Sequence, residues 1–272
     1  MTLGVVADVQ HADKEDGTER IQYFRAAAEK LGRAVDAFAE EKVAGVLNLG
    51  DIIDGNVDDA TTLRDLERVA AQFDRLKALR VPVYHLLGNH CLCLDRDFVE
   101  KRLGMPSSYY AVDLGKNWRL LVCDTNDLCK GTKEGEDFLK LHENEPQMAE
   151  WNGGLGSDQL AWLRRELSTP ETNFIIATHH PLSDQAARPD HTAWNFREVQ
   201  EILLEHENVR LALAGHDHPG GYARHSNTHF ITLEALLEAP DNSFAFLDIY
   251  PDRAVFRGHG SASSYPNLTF SS

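Results

Sequence analysis

Five short clusters of carboxylate, amide and imidazole side chains are the most chemically suggestive feature of the chain. They are Asp8-Val9-Gln10, Gly50-Asp51, Gly88-Asn89-His90, His179-His180 and His216-Asp217-His218. Their donors are oxygen and nitrogen with no thiolate, a set that suits Mn²⁺, Fe or Zn²⁺. Extended backbone turns side chains i and i+2 to one face, so Asp8 can act with Gln10, and His216 with His218. Each cluster alone has a plainer reading. Gly50-Asp51-Ile52-Ile53-Asp54-Gly55 by itself would be a turn, and His179-His180-Pro181 a loop with one buried histidine. The histidine pair at 216 and 218, preceded by Gly215, is more specific for a metal. In order along one chain, the five together point to ligands of a shared site.

The spacing of apolar residues predicts the elements that must present them. Leu3 to Ala7, Val43 to Leu49, Val81 to Leu87, Phe174 to Thr178 and Val209 to Ala214 read as strands, each running into one of the clusters. Helical stripes lie between the first three: Ile21, Phe24, Ala28, Leu31, Val35 and Phe38 within 18–41, then Leu63, Leu66, Val69, Ala70, Phe73 and Leu76 within 61–79. This βαβαβ order predicts an α/β sheet with crossover helices, and such sheets bind ligands beyond the carboxyl ends of their strands. Further along, 109–114 and 118–124 read as a hairpin. Helices are expected at 157–167, with Ser157 as N-cap, and at 195–205, and three β runs between 229 and 258. Residues 125–156 are charged and weakly periodic, which predicts a long surface excursion. With no repeat, low-complexity tract or linker, a single domain over 1–272 is the simplest organisation.

Composition narrows the partners. The chain has 272 residues, with 43 Asp and Glu against 27 Lys and Arg, a formal charge of −16. No surplus of cations exists to neutralise phosphates, which argues against nucleic acid or an anionic membrane as partner. Four cysteines, Cys91, Cys93, Cys123 and Cys129, are too few for a disulfide scaffold and lack zinc-site spacing. Without a basic, apolar leader or a run of about 20 apolar residues, a cytoplasmic location is expected. Oligomeric state is left open.

The ordered clusters resemble the calcineurin-like metallophosphoesterases, whose pattern is D-x-H, G-D-x-x-D, G-N-H-E/D, a lone His and G-H-x-H. The matches here are Asp8-x-Gln10, Gly50-Asp51-Ile52-Ile53-Asp54, Gly88-Asn89-His90-Cys91, His179 and Gly215-His216-Asp217-His218. Gln10 in place of His is itself similar to the branch of manganese-dependent ADP-ribose/CDP-alcohol diphosphatases, as are Trp151-Asn152-Gly153-Gly154 and Ala193-Trp194-Asn195-Phe196-Arg197. Cys91 departs from the usual acidic residue and removes a carboxylate that could orient His90.

The resemblance implies a β-sandwich of two mixed sheets flanked by helices, and two divalent metal ions bridged by Asp51, with Mn²⁺ ranked first. Asp8, Gln10 and His218 would complete one site; Asn89, His179 and His216 the other, with His179 preferred over His180. A bridging hydroxide would attack phosphorus in line, and His90 would act as the catalytic acid. Two cations and two aspartates leave such a site at about +2, enough to attract an anion despite the acidic chain. A small nucleotide diphosphate is the expected substrate, with Trp194 or Phe196 stacking on its base and Gly153 and Gly154 approaching a phosphate. Alternatives are a cyclic-nucleotide phosphodiesterase or phosphomonoesterase on the same site, or a non-catalytic metal-bound scaffold.

Overall fold

β1 (Thr2–Val6) sets the plan of the molecule, because its side chains are buried on both faces. Leu3 and Val5 join one apolar cluster and Val6 another. A strand apolar on both sides must lie between two layers. The computed structural model, which describes residues 1–17 and 21–270, supplies both layers.

After β1 come α1 (Ala27–Glu41), β2 (Gly45–Asn48), α2 (Asp59–Ala78) and β3 (Val83–His85), then α3 (Arg96–Leu103). The second half runs β4 (Tyr110–Gly115), β5 (Trp118–Val122), α4 (Lys133–His142), α5 (Ser157–Leu167), β6 (Asn173–Ala177), α6 (Phe196–Leu204) and β7 (Val209–Ala214). Five strands close the chain: β8 (Gly221–His225), β9 (Thr228–Thr232), β10 (Ser243–Ile249), β11 (Arg253–Gly260) and β12 (Tyr265–Thr269).

They form two six-stranded mixed sheets, in the orders β12-β11-β10-β1-β2-β3 and β4-β5-β6-β7-β9-β8. Leu3, Val5 and Leu47 of the first sheet meet Val122, Ile175, Leu211 and Ile231 of the second in a shared interior. α1 and α2 cover the outer face of the first sheet through Leu31, Val35, Phe38, Val69 and Phe73. α5 and α6 cover the second through Leu163, Leu167, Val199 and Leu203. Each of these buried aliphatic and aromatic side chains contributes about 1.5–3 kcal/mol. This is the expected sandwich of two mixed sheets flanked by helices.

Several boundaries differ from expectation. The first helix begins at Ala27, not at 18; residues 18–20 lie outside the described residues, and Ile21 is 63% exposed on a turn. β3 is three residues long rather than seven. Ser157 is the first residue of α5 and Gly156 its cap. The N–H groups of Gly156 and Ser157 are held instead by Asp127 Oδ2 at 3.0 Å and Glu134 Oε1 at 2.9 Å, carboxylates that also suit a helix N-terminus. Both belong to the 125–156 excursion. That segment contains α4, started by Thr132 Oγ1 accepting from the Gly135 N–H at 3.0 Å, and its ends are tied by paired backbone bonds between Leu128 and Gly154. Among the described residues, no helix is long and apolar enough to cross a membrane.

Candidate metal centre

Parallel pairing of β1 with β2, of β2 with β3, and of β6 with β7 points the carboxyl ends of these strands to one edge of the sandwich. The chain leaves several of them through strained backbone. Asp8, Gln10, Asp51 and His216 have φ of 51°, 42°, 49° and 67°, a left-handed conformation that costs a non-glycine residue energy and persists where the surroundings enforce it. Glycines make the crowding possible. A Cβ on Gly88 would stand 2.0 Å from Asp51 Oδ1, and one on Gly215 would stand 2.5 Å from Asp8 Oδ2.

The side chains converge around Asp51. Its Oδ2 lies 3.1 Å from Gln10 Nε2 and 3.3 Å from His179 Nε2, and its Oδ1 accepts the His90 backbone N–H at 2.9 Å. One donor atom from each of Asp8, Asp51 and His179 falls within 4.8 Å of the others. His179 Nδ1 donates to the Leu49 carbonyl at 2.9 Å, so Nε2 is the nitrogen turned inward, 3.1 Å from Asn89 Oδ1 and 3.2 Å from His216 Nδ1. His218 Nε2 stands 3.9 Å from Asp8 Oδ1 while its Nδ1 bonds Glu238 Oε1 at 2.7 Å. The structure thus brings together Asp8, Gln10, Asp51, Asn89, His179, His216 and His218. His180 differs from His179, because both its ring nitrogens are engaged by protein, Nδ1 by Thr125 Oγ1 and Nε2 by the Trp151 carbonyl.

This arrangement demands positive charge. Burial lifts the Asp8 carboxyl to about 6. Burial pushes Asp51 the same way, but the rings of His179 and His90 hold it well below the usual carboxylate range. Burial disfavours charge on His179, yet Asp51 draws that ring toward its protonated form. Burial and neighbouring rings keep His216 neutral, as a ligand must be. Buried Gln10 Oε1 has no hydrogen-bond partner. Lone pairs of His179, Asn89 and His216 face one another, so a proton or a cation must sit among them. Two buried carboxylates, two amide oxygens and three imidazoles fit divalent cations of the Mn²⁺ type.

Beside these donors lies a cleft of about 220 Å³ lined by His90, Asp54, Trp151 and His191. His90 Nδ1 is 3.1 Å from Asp54 Oδ1. Burial opposes its charge, but Asp51 and Asp54 raise the ring to about 9, leaving an imidazolium at neutral pH. Asp54 is paired in turn with Lys14. Cys91 points into the apolar core, so the carboxylate beside His90 comes from position 54 and not from position 91. A larger cavity of about 480 Å³ lies near Leu92, Arg96 and Asp124, where Arg96 is paired with Asp124; among the described residues, no group of three metal-ligating side chains is found there.

The expected substrate contacts are corrected by packing. Trp194 is 1% exposed and its Nε1 donates to the Ala149 carbonyl at 3.1 Å; Phe196 is 2% exposed in the core of the second sheet. Neither ring can reach a ligand. Gly153 and Gly154 serve internal close approaches, since a Cβ would stand 2.3 Å from the Thr125 carbonyl oxygen and 2.4 Å from Asn195 Oδ1. The aromatic at the cleft is Trp151, 52% exposed. Asp54, Trp151, Asn152 and Glu238 were not assigned roles from the sequence. Asp54 and the Trp151-Asn152 pair stand inside motifs, whereas nothing local marks Glu238.

A two-sheet α/β sandwich with candidate metal donors at its strand ends and a histidine on the adjoining cleft is the architecture of a metal-dependent phosphohydrolase. The family profile described as calcineurin-like phosphoesterase matches residues 1–220, and the chain belongs to that family. It is 32% identical to the manganese-dependent ADP-ribose/CDP-alcohol diphosphatase of Oryza sativa subsp. japonica, over 94% of this chain and 90% of the relative. Identity is also 32% to the human protein of that description, over 95% and 90%. A crystal structure of a dimetal phosphatase from Danio rerio matches with a TM-score of 0.90 and 32% identity, covering 99% of each chain. The anchor in the inner membrane complex of Plasmodium shares the fold alone, at a TM-score of 0.63 and 12% identity.

Proposed function

We propose that the chain is a Mn²⁺-dependent diphosphatase that cleaves the diphosphate of ADP-ribose, CDP-alcohols or similar nucleoside-diphosphate-linked compounds. The observation that carries the reading is the convergence of buried carboxylate, amide and imidazole side chains on Asp51, beside a cleft lined by His90, in a chain similar over nearly its whole length to diphosphatases of that description. Asp51 would be the residue held in common by two ions, with Asp8, Gln10 and His218 available on one side and Asn89, His179 and His216 on the other. Bound there, two divalent cations supply Lewis acidity, an activated water and neutralisation of phosphate charge.

The rest is done by side chains. Asp54 fixes His90 Nδ1, so Nε2 is the atom free to give a proton to the leaving phosphate oxygen. His90 also adds positive charge to a cleft in an otherwise acidic molecule, which draws in an anionic diphosphate. Trp151 offers its face to the nucleobase at the rim. The four cysteines are free thiols, which suits a reducing compartment, and we place the protein in the cytoplasm. A scaffold would have no need of His90 held charged over a cleft. Cyclic nucleotides and phosphomonoesters are the competing substrates.

Initial rates of the Mn²⁺-loaded protein on ADP-ribose, CDP-choline, cyclic AMP and bis-p-nitrophenyl phosphate separate these readings. Both diphosphates are expected to be turned over well above the other two. Cyclic AMP cleaved faster than both diphosphates would refute the diphosphatase reading. Trp151→Ala is expected to raise KM for ADP-ribose about tenfold, the loss of ~1–1.5 kcal/mol of stacking, with kcat little changed.

A further inference from the structure

Asn152 lies 64 residues from His216 in sequence, yet its side-chain oxygen sits 2.8 Å from His216 Nε2. The amide is 3% exposed, and its orientation is forced. Nδ2 donates to the Gln147 carbonyl at 3.0 Å and the Asp190 carbonyl at 2.8 Å. Carbonyls only accept, so the amide cannot be turned over, and Oδ1 must face the histidine. An amide oxygen also only accepts, so the His216 proton has to be on Nε2. The lone pair is then on Nδ1, which points at His179 Nε2 across 3.2 Å. We infer that Asn152 is a positioning residue for the metal centre: its oxygen holds the His216 proton on Nε2 and so makes Nδ1 the atom that meets the cation.

The inference rests on His216 being a ligand and adds a coupling. Asn152 belongs to the 125–156 excursion, and the carbonyl of its neighbour Trp151 accepts from His180 Nε2 at 3.1 Å. Two adjacent residues thus fasten the excursion to the two histidines beside the centre. Whatever favours cation binding at His216 favours docking of 147–152, by the same factor in both directions. The same tie places the Trp151 ring at the cleft.

Titration of metal-free protein with Mn²⁺, read by the EPR signal of the free ion, tests this together with imidazole ¹⁵N spectra of the metal-free protein. The parent is expected to bind two ions and to show the Nε2–H tautomer at His216. Asn152→Leu is expected to weaken one ion by ~10- to 100-fold and to lose that tautomer. Asn152→Asp keeps an acceptor but loses both donors. It should bind both ions within a few-fold of the parent while amides of 147–152 exchange faster. Asn152→Leu binding both ions as the parent does, while His216→Ala loses one, overturns the inference alone. So does Asn152→Asp weakening as far as Asn152→Leu, because the loss would then follow loop packing and not the acceptor. A parent that binds fewer than two ions, or a His216→Ala variant that still binds two undiminished, overturns the ligand reading and this inference with it.

Discussion

His90 carries a proton at neutral pH because two carboxylates outweigh its burial. Asp54 is the one of the pair outside the proposed ligand set, so it can be changed without emptying the centre. Asp54→Asn removes one of the two charges that raise the ring, and the proton then leaves at lower pH. The alkaline limb of the kcat/KM profile should move to lower pH in Asp54→Asn; an unmoved limb would mean that His90 is not the group reporting there. His90→Ala should lower kcat by ~10²–10⁴-fold. At this scale the convergence of side chains was readable in the sequence where a residue type and its strand-end position coincide, as for Asp8, Asp51 and His216. It was unreadable where a role depends on a distant partner, as for Glu238 on His218. Trp194 and Trp151 could not be told apart beforehand, because an indole suits a core and a cleft equally well and only packing decides which ring is left outside.

The strand ends are held in place by a neighbouring loop that has no ligand role. Backbone N–H groups of Leu236 and Leu237 donate to the carbonyls of Ala7 and Asp8, and that of Ala235 donates to His218. This loop is strapped to α1 by buried Lys30, whose Nζ donates to the carbonyls of Leu236, Leu237 and Ala239 at 2.9, 3.1 and 2.7 Å. Lys30→Met would remove three hydrogen bonds; the Leu236 and Leu237 carbonyls keep the backbone N–H groups of Ala239 and Tyr23, whereas the buried Ala239 carbonyl loses its donor, and about 2 kcal/mol of stability should be lost in urea unfolding. The gain in Tm on adding Mn²⁺ should shrink with it; a variant as stable as the parent would show that the strap carries no weight. Gly88→Ala acts more locally, pushing on Asp51 Oδ1, and should abolish high-affinity Mn²⁺ binding in a titration while the far-UV spectrum is kept. Among the elements, α2, α5 and α6 were legible because one apolar face repeats along each. β8 and β12 were not, since β8 fully buries only Ala223 and β12 only Leu268. α3 escaped for the same reason, with only Val99 and Leu103 buried among charged neighbours. The start of α1 was misplaced because Ile21 continues the apolar period while lying on an exposed turn.

Over the whole molecule, an acidic exterior surrounds a centre that requires cations, and the two behave differently with pH. Away from the centre, His85 is fully buried between β2 and α2, against Asn48 and the Phe73 ring, and burial lowers it to about 3. The folded protein keeps this ring neutral while the unfolded chain protonates it below about pH 6.5. Between about pH 6 and 4 the unfolded state therefore binds one more proton here, and unfolding free energy falls with falling pH by up to ~1.4 kcal/mol per pH unit from this group. His85→Gln should reduce the slope of stability against pH by that one-proton contribution, measured by urea unfolding across the window; an unchanged slope would place the titration elsewhere. The centre itself is best tested through the residue every donor surrounds. Hydrolysis of ADP-ribose by Mn²⁺-loaded protein should yield AMP and ribose 5-phosphate, and Asp51→Asn should lower the rate by at least ~10²-fold. Undiminished hydrolysis by Asp51→Asn would contradict a reaction carried out at this metal centre.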